Sequence, residues 1–232
     1  MAQFHFVEDY EKLVANLIEK YPIDEAMSIA VGGGSYHEYR EIGATEAEIL
    51  RYAGLKDGMS LVDLGCGSGR LASELGRSMN IEFTGIDIVQ SLLDYAKTKT
   101  PSNYRFLLHR TLSIPSDDNQ RDFVSAFSVF THLLHAETYI YLEDIKRTLK
   151  GGGKLVFSFL EFESDIHWGV FEETVEAQRH HSNAHLTTFI ERSVIDTWCK
   201  KLGYQIEAFI SGVEARWNGR PLWQSTAIVR KP

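Results

Sequence analysis

Apolar positions along the chain alternate between two rhythms. Phe6, Tyr10, Leu13, Val14, Leu17 and Ile18 draw one face of a helix over residues 4–20, with Pro22 soon after its end. This helix is expected either to pack as an N-terminal cap or to act as a lid. Val31-Gly-Gly-Gly-Ser-Tyr36 then reads as a flexible joint. Thr45 followed by Glu48 has the form of a capping box, and Ile49, Leu50, Ala53 and Leu55 supply the buried stripe of the helix it would start. From residue 60 the rhythm changes. Short apolar runs at 60–64, 82–88, 104–109, 122–128 and 154–160 read as strands, and the segments 70–79, 89–98 and 136–149 between them as helices. Residues 189–202 form a last helix closed by Gly203, and 204–210 and 225–230 two final strands.

Strands and helices alternating at this spacing predict an α/β fold, a doubly wound and mostly parallel sheet of seven strands. Residues 1–43 are expected as an N-terminal helical cap, and 44–232 as the main domain with an insertion at about 161–188. In such sheets ligands sit at the carboxyl ends of the strands. The stretch Leu61-Val-Asp-Leu-Gly-Cys-Gly-Ser-Gly-Arg-Leu71 occupies that edge. Glycines at 65, 67 and 69 let the backbone take positive φ and strip side chains from the turn, so a ligand could lie against main-chain N–H groups. Asp63 stands where a carboxylate could receive a cation. Asp87, at the tip of the next strand, is placed to accept the two hydroxyls of a ribose. A nucleoside-containing cofactor is the natural reading. A dinucleotide fold asks for Gly-x-Gly-x-x-Gly, and this chain has Arg70 at the last of those positions.

Four blocks in order, Asp63-Leu-Gly-Cys-Gly-Ser-Gly69, Gly85-Ile-Asp87, Asp122-Phe-Val-Ser-Ala-Phe-Ser128 and Leu149-Lys-Gly-Gly-Gly-Lys-Leu-Val156, resemble the class I S-adenosylmethionine-dependent methyltransferases. The resemblance covers about residues 44–160. It implies a Rossmann-like methyltransferase fold, S-adenosylmethionine as cofactor and S-adenosylhomocysteine as product. It places Asp63 at the methionine ammonium, Gly65, Cys66, Gly67 and Gly69 beneath the cofactor, Asp87 on the ribose, and Ile88 on the adenine. Thr111 and Leu112 would touch the adenine edge, and Phe127 and Ser128 would lie beside the methionine arm. Arg110 stands where the family often has an Asp.

Methyl transfer from a sulfonium needs alignment above all, and a hydroxyl acceptor also gains from a base. His132, just past the fourth strand, is the candidate base. Tyr36, Tyr39, Arg40, His135, Glu161, His167 and Trp168 are candidate substrate contacts. His180, His181 and His185 invite a metal reading, but no acid completes a zinc pattern, so no metal is expected.

Composition narrows the partners. Net charge is −8, with 24 Lys+Arg against 32 Asp+Glu, the wrong balance for a phosphate backbone. Two cysteines make no disulfide framework. No basic start with an apolar run and no membrane-length segment is present, so a cytoplasmic monomer or homodimer acting on a small molecule is expected, without nucleic acid or membrane. The expected activity is methylation of a small-molecule acceptor, at an oxygen of a sugar, polyketide or phenolic metabolite. The alternatives are an N-methyltransferase and a methyltransferase-fold binding protein without catalysis.

Overall fold

The computed structural model describes residues 7–180, 186–215 and 217–232. Three helices come first: α1 (Val7–Lys20), α2 (Ile23–Ile29) and α3 (Tyr36–Ala53). The α/β body follows as β1 (Ser60–Leu64), α4 (Arg70–Ser78), β2 (Glu82–Asp87), α5 (Gln90–Lys99), β3 (Arg105–Leu108), β4 (Arg121–Ala126), α6 (His135–Thr148) and β5 (Leu149–Phe159). It closes with α7 (Asp165–Arg179), α8 (Arg192–Leu202), β6 (Gln205–Ile210) and β7 (Ser225–Arg230). A 3₁₀ turn, Phe130–His132, leaves β4.

The seven strands form one sheet in the order β3-β2-β1-β4-β5-β7-β6. The first five are parallel, and β7 runs antiparallel between β5 and β6. Strand order reverses at β1, so the crevice for a ligand opens where β1 and β4 end. Every residue of β1 is buried because both faces are covered. Val62 and Leu64 point into one apolar cluster with Phe157 and Tyr141, and Leu61 into the other with Leu50, Leu75 and Phe83. Asp63 shares the face of Leu61, a carboxylate in the middle of an apolar layer.

Two elements differ from the sequence expectation. Helix α3 is capped at Ser35, well before Thr45–Glu48. Ser35 is the N-cap of α3; its hydroxyl accepts from Glu38 N at 3.1 Å, and the Glu38 carboxylate accepts from Gly34 N at 2.9 Å. Thr45 lies inside the helix and its hydroxyl donates to the Glu41 carbonyl at 3.0 Å. The expected cap boundary at residue 43 therefore falls inside one continuous helix. That helix is held to the body at Gly43, where a Cβ would stand 2.6 Å from the Arg70 carbonyl oxygen. The second difference is α7, a 15-residue helix within the segment read only as an insertion. A bridge between Leu160 and Phe189 closes the base of that segment.

Candidate active site

The crevice is a cavity of about 640 Å³ at the carboxyl end of the sheet. Its floor begins with the turn after β1. Gly65, Gly67 and Gly69 all have positive φ, at 68°, 54° and 84°. At all three the chain has no space for more, a Cβ on Gly69 standing 2.8 Å from Ala96 Cβ. A Cβ on Gly65 would stand 2.4 Å from Val129 Cγ2, and one on Gly67 would stand 2.6 Å from Val31 Cγ1. The turn is tied to β2 by Gly65 N and Cys66 N, which donate to the Ile86 carbonyl at 2.8 and 3.0 Å. Asp87 completes the tie: its carboxylate accepts from Gly67 N at 2.9 Å and from Val89 N at 3.0 Å. Burial pushes the Asp87 carboxyl up, and these backbone N–H groups act against the shift.

Asp63 is 4% exposed and accepts a hydrogen bond from Ser125 Oγ at 2.7 Å. Burial pushes its carboxyl up to about 8, with Ser125 opposing and the charge of Glu46 adding to the rise. Glu46 of α3 and Arg70 of α4 line the same floor. They form a buried two-pronged pair, Arg70 Nε to Glu46 Oε2 at 3.2 Å, while Arg70 Nη1 donates to the Val31 carbonyl at 2.9 Å. Burial pushes the Glu46 carboxyl up, and the facing guanidinium draws it back. Three carboxylates and one guanidinium thus stand around one small volume, leaving it net negative when all are charged.

The opposite wall carries His132. Its Nδ1 lies 2.8 Å from the Leu186 carbonyl, which fixes the proton on Nδ1 and makes Nε2 the basic nitrogen of the neutral ring. Tyr10 of α1 meets the His132 ring edge-on, centroids 6.2 Å apart. Burial, and then the charge of Asp87, push the Tyr10 phenol up to about 12. Leu160, Val170 of α7, Leu186 and Leu222 make the rest of that wall apolar.

Of the residues singled out in the sequence, Asp63, Gly65, Cys66, Gly67, Asp87, Ile88, Phe127, Ser128 and His132 line this cavity. Gly69 stands behind it as the left-handed N-cap of α4. Thr111 turns away to His109 Nε2 and Ser113 Oγ, both at 2.9 Å, and Leu112 packs on the core beneath α6. Arg110 donates to the Ile88 carbonyl at 2.9 Å and pairs with Glu11 of α1.

The proposed substrate contacts are engaged elsewhere. Tyr39 is buried and donates to the Ser68 carbonyl at 3.0 Å, with Tyr36 stacked on it, and Arg40 pairs with Glu74 on the outside of α4. His135 lies beside the Phe189 carbonyl and the Trp198 ring. Glu161 is buried in a two-pronged pair with Arg192, 2.8 Å on each prong, and also accepts from Ser225 Oγ. His167 accepts from Glu161 N at 3.0 Å on Nδ1 and donates from Nε2 to the Trp223 carbonyl at 3.2 Å. Trp168 is exposed and donates to Glu172. His180 is exposed beside Glu176, and His181 and His185 lie outside the described residues.

Glu46, Tyr10, Val129 and Gln224 are cavity residues that sequence reasoning did not find. Each lies far along the chain from the glycine turn and in no motif. The spacing of Ser35 and Glu38 was the one available signal, since it extends α3 back over the cavity.

A sheet of this order, with a glycine turn after β1 and an acid at the end of β2, defines a Rossmann-like methyltransferase fold. Residues 62–157 match the model of the methyltransferase domain family. The matched residues run from within β1 through most of β5, with Asp63, the glycine turn and Asp87 among them. It is 24% identical over 217 residues to the biotin biosynthesis bifunctional protein BioHC of Cellvibrio japonicus, covering 92% of this chain and 41% of that protein. It is 29% identical over 113 residues to demethylmenaquinone methyltransferase of Staphylococcus aureus, covering 47% of this chain and 46% of that one. The match thus spans less than half the length of either relative. Magnesium protoporphyrin IX methyltransferase from Synechocystis PCC 6803, solved with bound S-adenosylhomocysteine, shares the fold with a TM-score of 0.65 at 15% identity, over 98% of this chain and 96% of that one. No described helix is long and apolar enough to cross a membrane.

Proposed function

We propose that the chain transfers a methyl group from S-adenosylmethionine to a small-molecule acceptor, with an oxygen as the accepting atom. The observation that carries this reading is the convergence of Asp63, Asp87 and the side-chain-free turn on the same cavity as His132. The donor set fits the cofactor. A buried carboxylate beside a net negative cluster suits the methionine ammonium, and Asp87, with lone pairs beyond those given to Gly67 and Val89, suits the ribose diol. Gly65 and Gly67 line the cavity with main chain alone, so a ligand there meets backbone and not a side chain. A cavity of this size falls within the range that holds a drug-sized ligand, roughly 300–1,000 Å³.

When bound, the cofactor supplies an activated methyl group. The chain supplies position and a proton acceptor. Asp63 and Asp87 hold the two ends of the cofactor, and His132 Nε2 takes the proton of the acceptor hydroxyl. The apolar wall of Leu160, Val170, Leu186 and Leu222 excludes water and favours a phenolic or polyketide-like acceptor over a sugar.

The test is transfer of a tritiated methyl group from S-adenosylmethionine to an extract of small metabolites. Label enters a methyl group that hydriodic acid releases as methyl iodide, as from a methyl ether or ester, in the wild type and not with Asp87→Ala. His132→Ala loses roughly 100-fold or more of the rate while keeping affinity for S-adenosylhomocysteine. Full activity of His132→Ala would remove the base from the account.

A further inference from the structure

The acceptor wall contains one polar side chain whose orientation the structure fixes and whose donor has no use within the protein. Gln224 lines the cavity immediately before β7. Its Oε1 is 2.6 Å from Ser158 Oγ and 3.3 Å from Ser128 Oγ. Ser158 Oγ already accepts from Ser128 N at 2.7 Å, so its own proton is directed to Gln224 Oε1. The oxygen of the amide therefore faces the serines, and Nε2 is left as the end that can face a ligand. That nitrogen donates to no atom among the described residues.

The surroundings hold Gln224 in this pose at some conformational cost. Among the described residues, Ser128 and Trp223 are two of the three non-glycine residues with positive φ, at 57° and 62°, and both border Gln224. Backbone held in that region has to be over-determined by its neighbours. Here the Trp223 carbonyl accepts from His167, Trp223 N donates to the Gly212 carbonyl at 2.9 Å, and Ser225 Oγ donates to Glu161, itself locked by Arg192. Glu161 and His167 thus act from behind the wall. They do not touch the cavity, and they fix the segment that does.

We propose that Gln224 is a specificity residue that selects acceptors presenting a hydrogen-bond-accepting oxygen, a carbonyl, carboxylate or phenolate, and disfavours a cationic amine. This rests on the methyltransferase reading above and decides its acceptor class. An N–H donor on this wall, beside the apolar Leu160, Val170, Leu186 and Leu222 and the hydroxyls of Thr131 and Thr187, stabilises an oxygen with lone pairs and opposes an ammonium, which has only protons to offer. Gln224 sits on the β4–β5–β7 side of the cavity, away from Asp87 on β2, so its partner is not the nucleoside, and a response to S-adenosylhomocysteine alone separates the acceptor from the methionine arm beside Ser128.

The test uses the full chain saturated with S-adenosylhomocysteine, with ¹⁵N in the side-chain amides and the Gln224 pair assigned by its disappearance in Gln224→Glu. Glutamate keeps the oxygen that the serines hold and replaces only the donor. The probes are octanoate and octylamine, equal in chain and opposite in head group. Octanoate is expected to shift the Gln224 amide pair and to bind more tightly than octylamine by roughly tenfold, the worth of one charge-assisted hydrogen bond. In Gln224→Glu the preference reverses. Gln224→Met, which keeps the volume and offers neither donor nor acceptor, is expected to lose the preference with a melting curve that reports whether the wall is intact. Equal binding of the two probes, binding of neither, or a Gln224 pair that stays unmoved would overturn the proposal. A shift produced by S-adenosylhomocysteine alone, with weaker cofactor binding in Gln224→Glu, would assign the residue to the cofactor and also overturn it. Failure of the wild type to bind S-adenosylhomocysteine would instead defeat the methyltransferase reading.

Discussion

The two ends of the cavity are built in different ways. At the β1–β2 end, one contiguous turn and one strand tip supply the ligand-facing groups, and the backbone itself holds them. Gly67 N and Val89 N fix Asp87, and Ser125 fixes Asp63. At the β5–β7 end, the ligand-facing groups come from segments scattered over the chain and are held by side chains behind them. His132 depends on the Leu186 carbonyl, and Gln224 on Ser158, His167 and the Glu161–Arg192 pair. A construction of the first kind depends on one turn and one strand tip. A wall of the second kind depends on contacts between distant segments, and so on any change in them.

Substitutions at each end can break this contrast. The largest effect is expected at the floor. Arg70→Met leaves Glu46 buried without its partner, and should cost about 3–5 kcal/mol of folding stability. Thermal unfolding should show a fall of roughly 10 °C for a chain of this size. An unchanged melting temperature would mean that the pair is not an essential joint between α3 and α4. Asp87→Ala comes next. Loss of charge-assisted bonds to a diol should weaken S-adenosylhomocysteine by roughly 100-fold in calorimetry. Its effect is confined to the cofactor end if binding of octanoate, measured without cofactor, stays the same.

Ser158→Ala probes the other end. It frees Gln224 Oε1 and leaves Ser128 N without its acceptor, at a cost of about 1–2 kcal/mol. Cofactor affinity should hold while the preference for octanoate over octylamine disappears. If cofactor affinity falls as far as acceptor preference does, the two ends are not separable.

The smallest effect, over the single unit from about pH 7 to 8, is one of pH. Burial raises Asp63 from its ordinary 3.8 to about 8, so the folded apo chain holds a proton that the unfolded chain releases. The contribution of that proton to stability is full below pH 4 or so and is lost as pH rises through about 8. A cofactor ammonium favours the ionised form, so affinity for S-adenosylhomocysteine should climb with pH up to about 8, by at most about tenfold per unit, and then level off. Calorimetry in buffers of different ionisation heat should count up to one proton released on binding near neutral pH. Asp63→Asn should abolish the release.

The same contrast explains what could be read from the sequence. The glycine turn, Asp63 and Asp87 were legible because the chemistry and the backbone geometry lie within single strand-and-turn units. The seven strands were legible from their apolar runs. Antiparallel β7 between β5 and β6 was not, because strand order depends on contacts far apart in the chain. Thr45 was misread as a cap because Thr-x-x-Glu matches the same pattern as Ser35-x-x-Glu38, and only the tertiary contact of Gly43 with α4 selects the longer helix. Arg70 entered the sequence reading only as a missing glycine. Its partner Glu46 lies on another helix, and no spacing rule joins them. Glu161 and His167 are read from the sequence as substrate contacts after the fifth strand. Their burial behind the wall, and not in it, is a fact of packing that residue type does not reveal.

The central claim is that Asp63, Asp87 and the glycine turn form a site for S-adenosylmethionine. Its most direct test is calorimetric titration of the wild-type chain and of Asp87→Ala with S-adenosylhomocysteine and, separately, with NADH. The account predicts one site per chain for S-adenosylhomocysteine, roughly 100-fold weaker in Asp87→Ala, and no binding of NADH. Binding of NADH alone, or full S-adenosylhomocysteine affinity in Asp87→Ala, would contradict it.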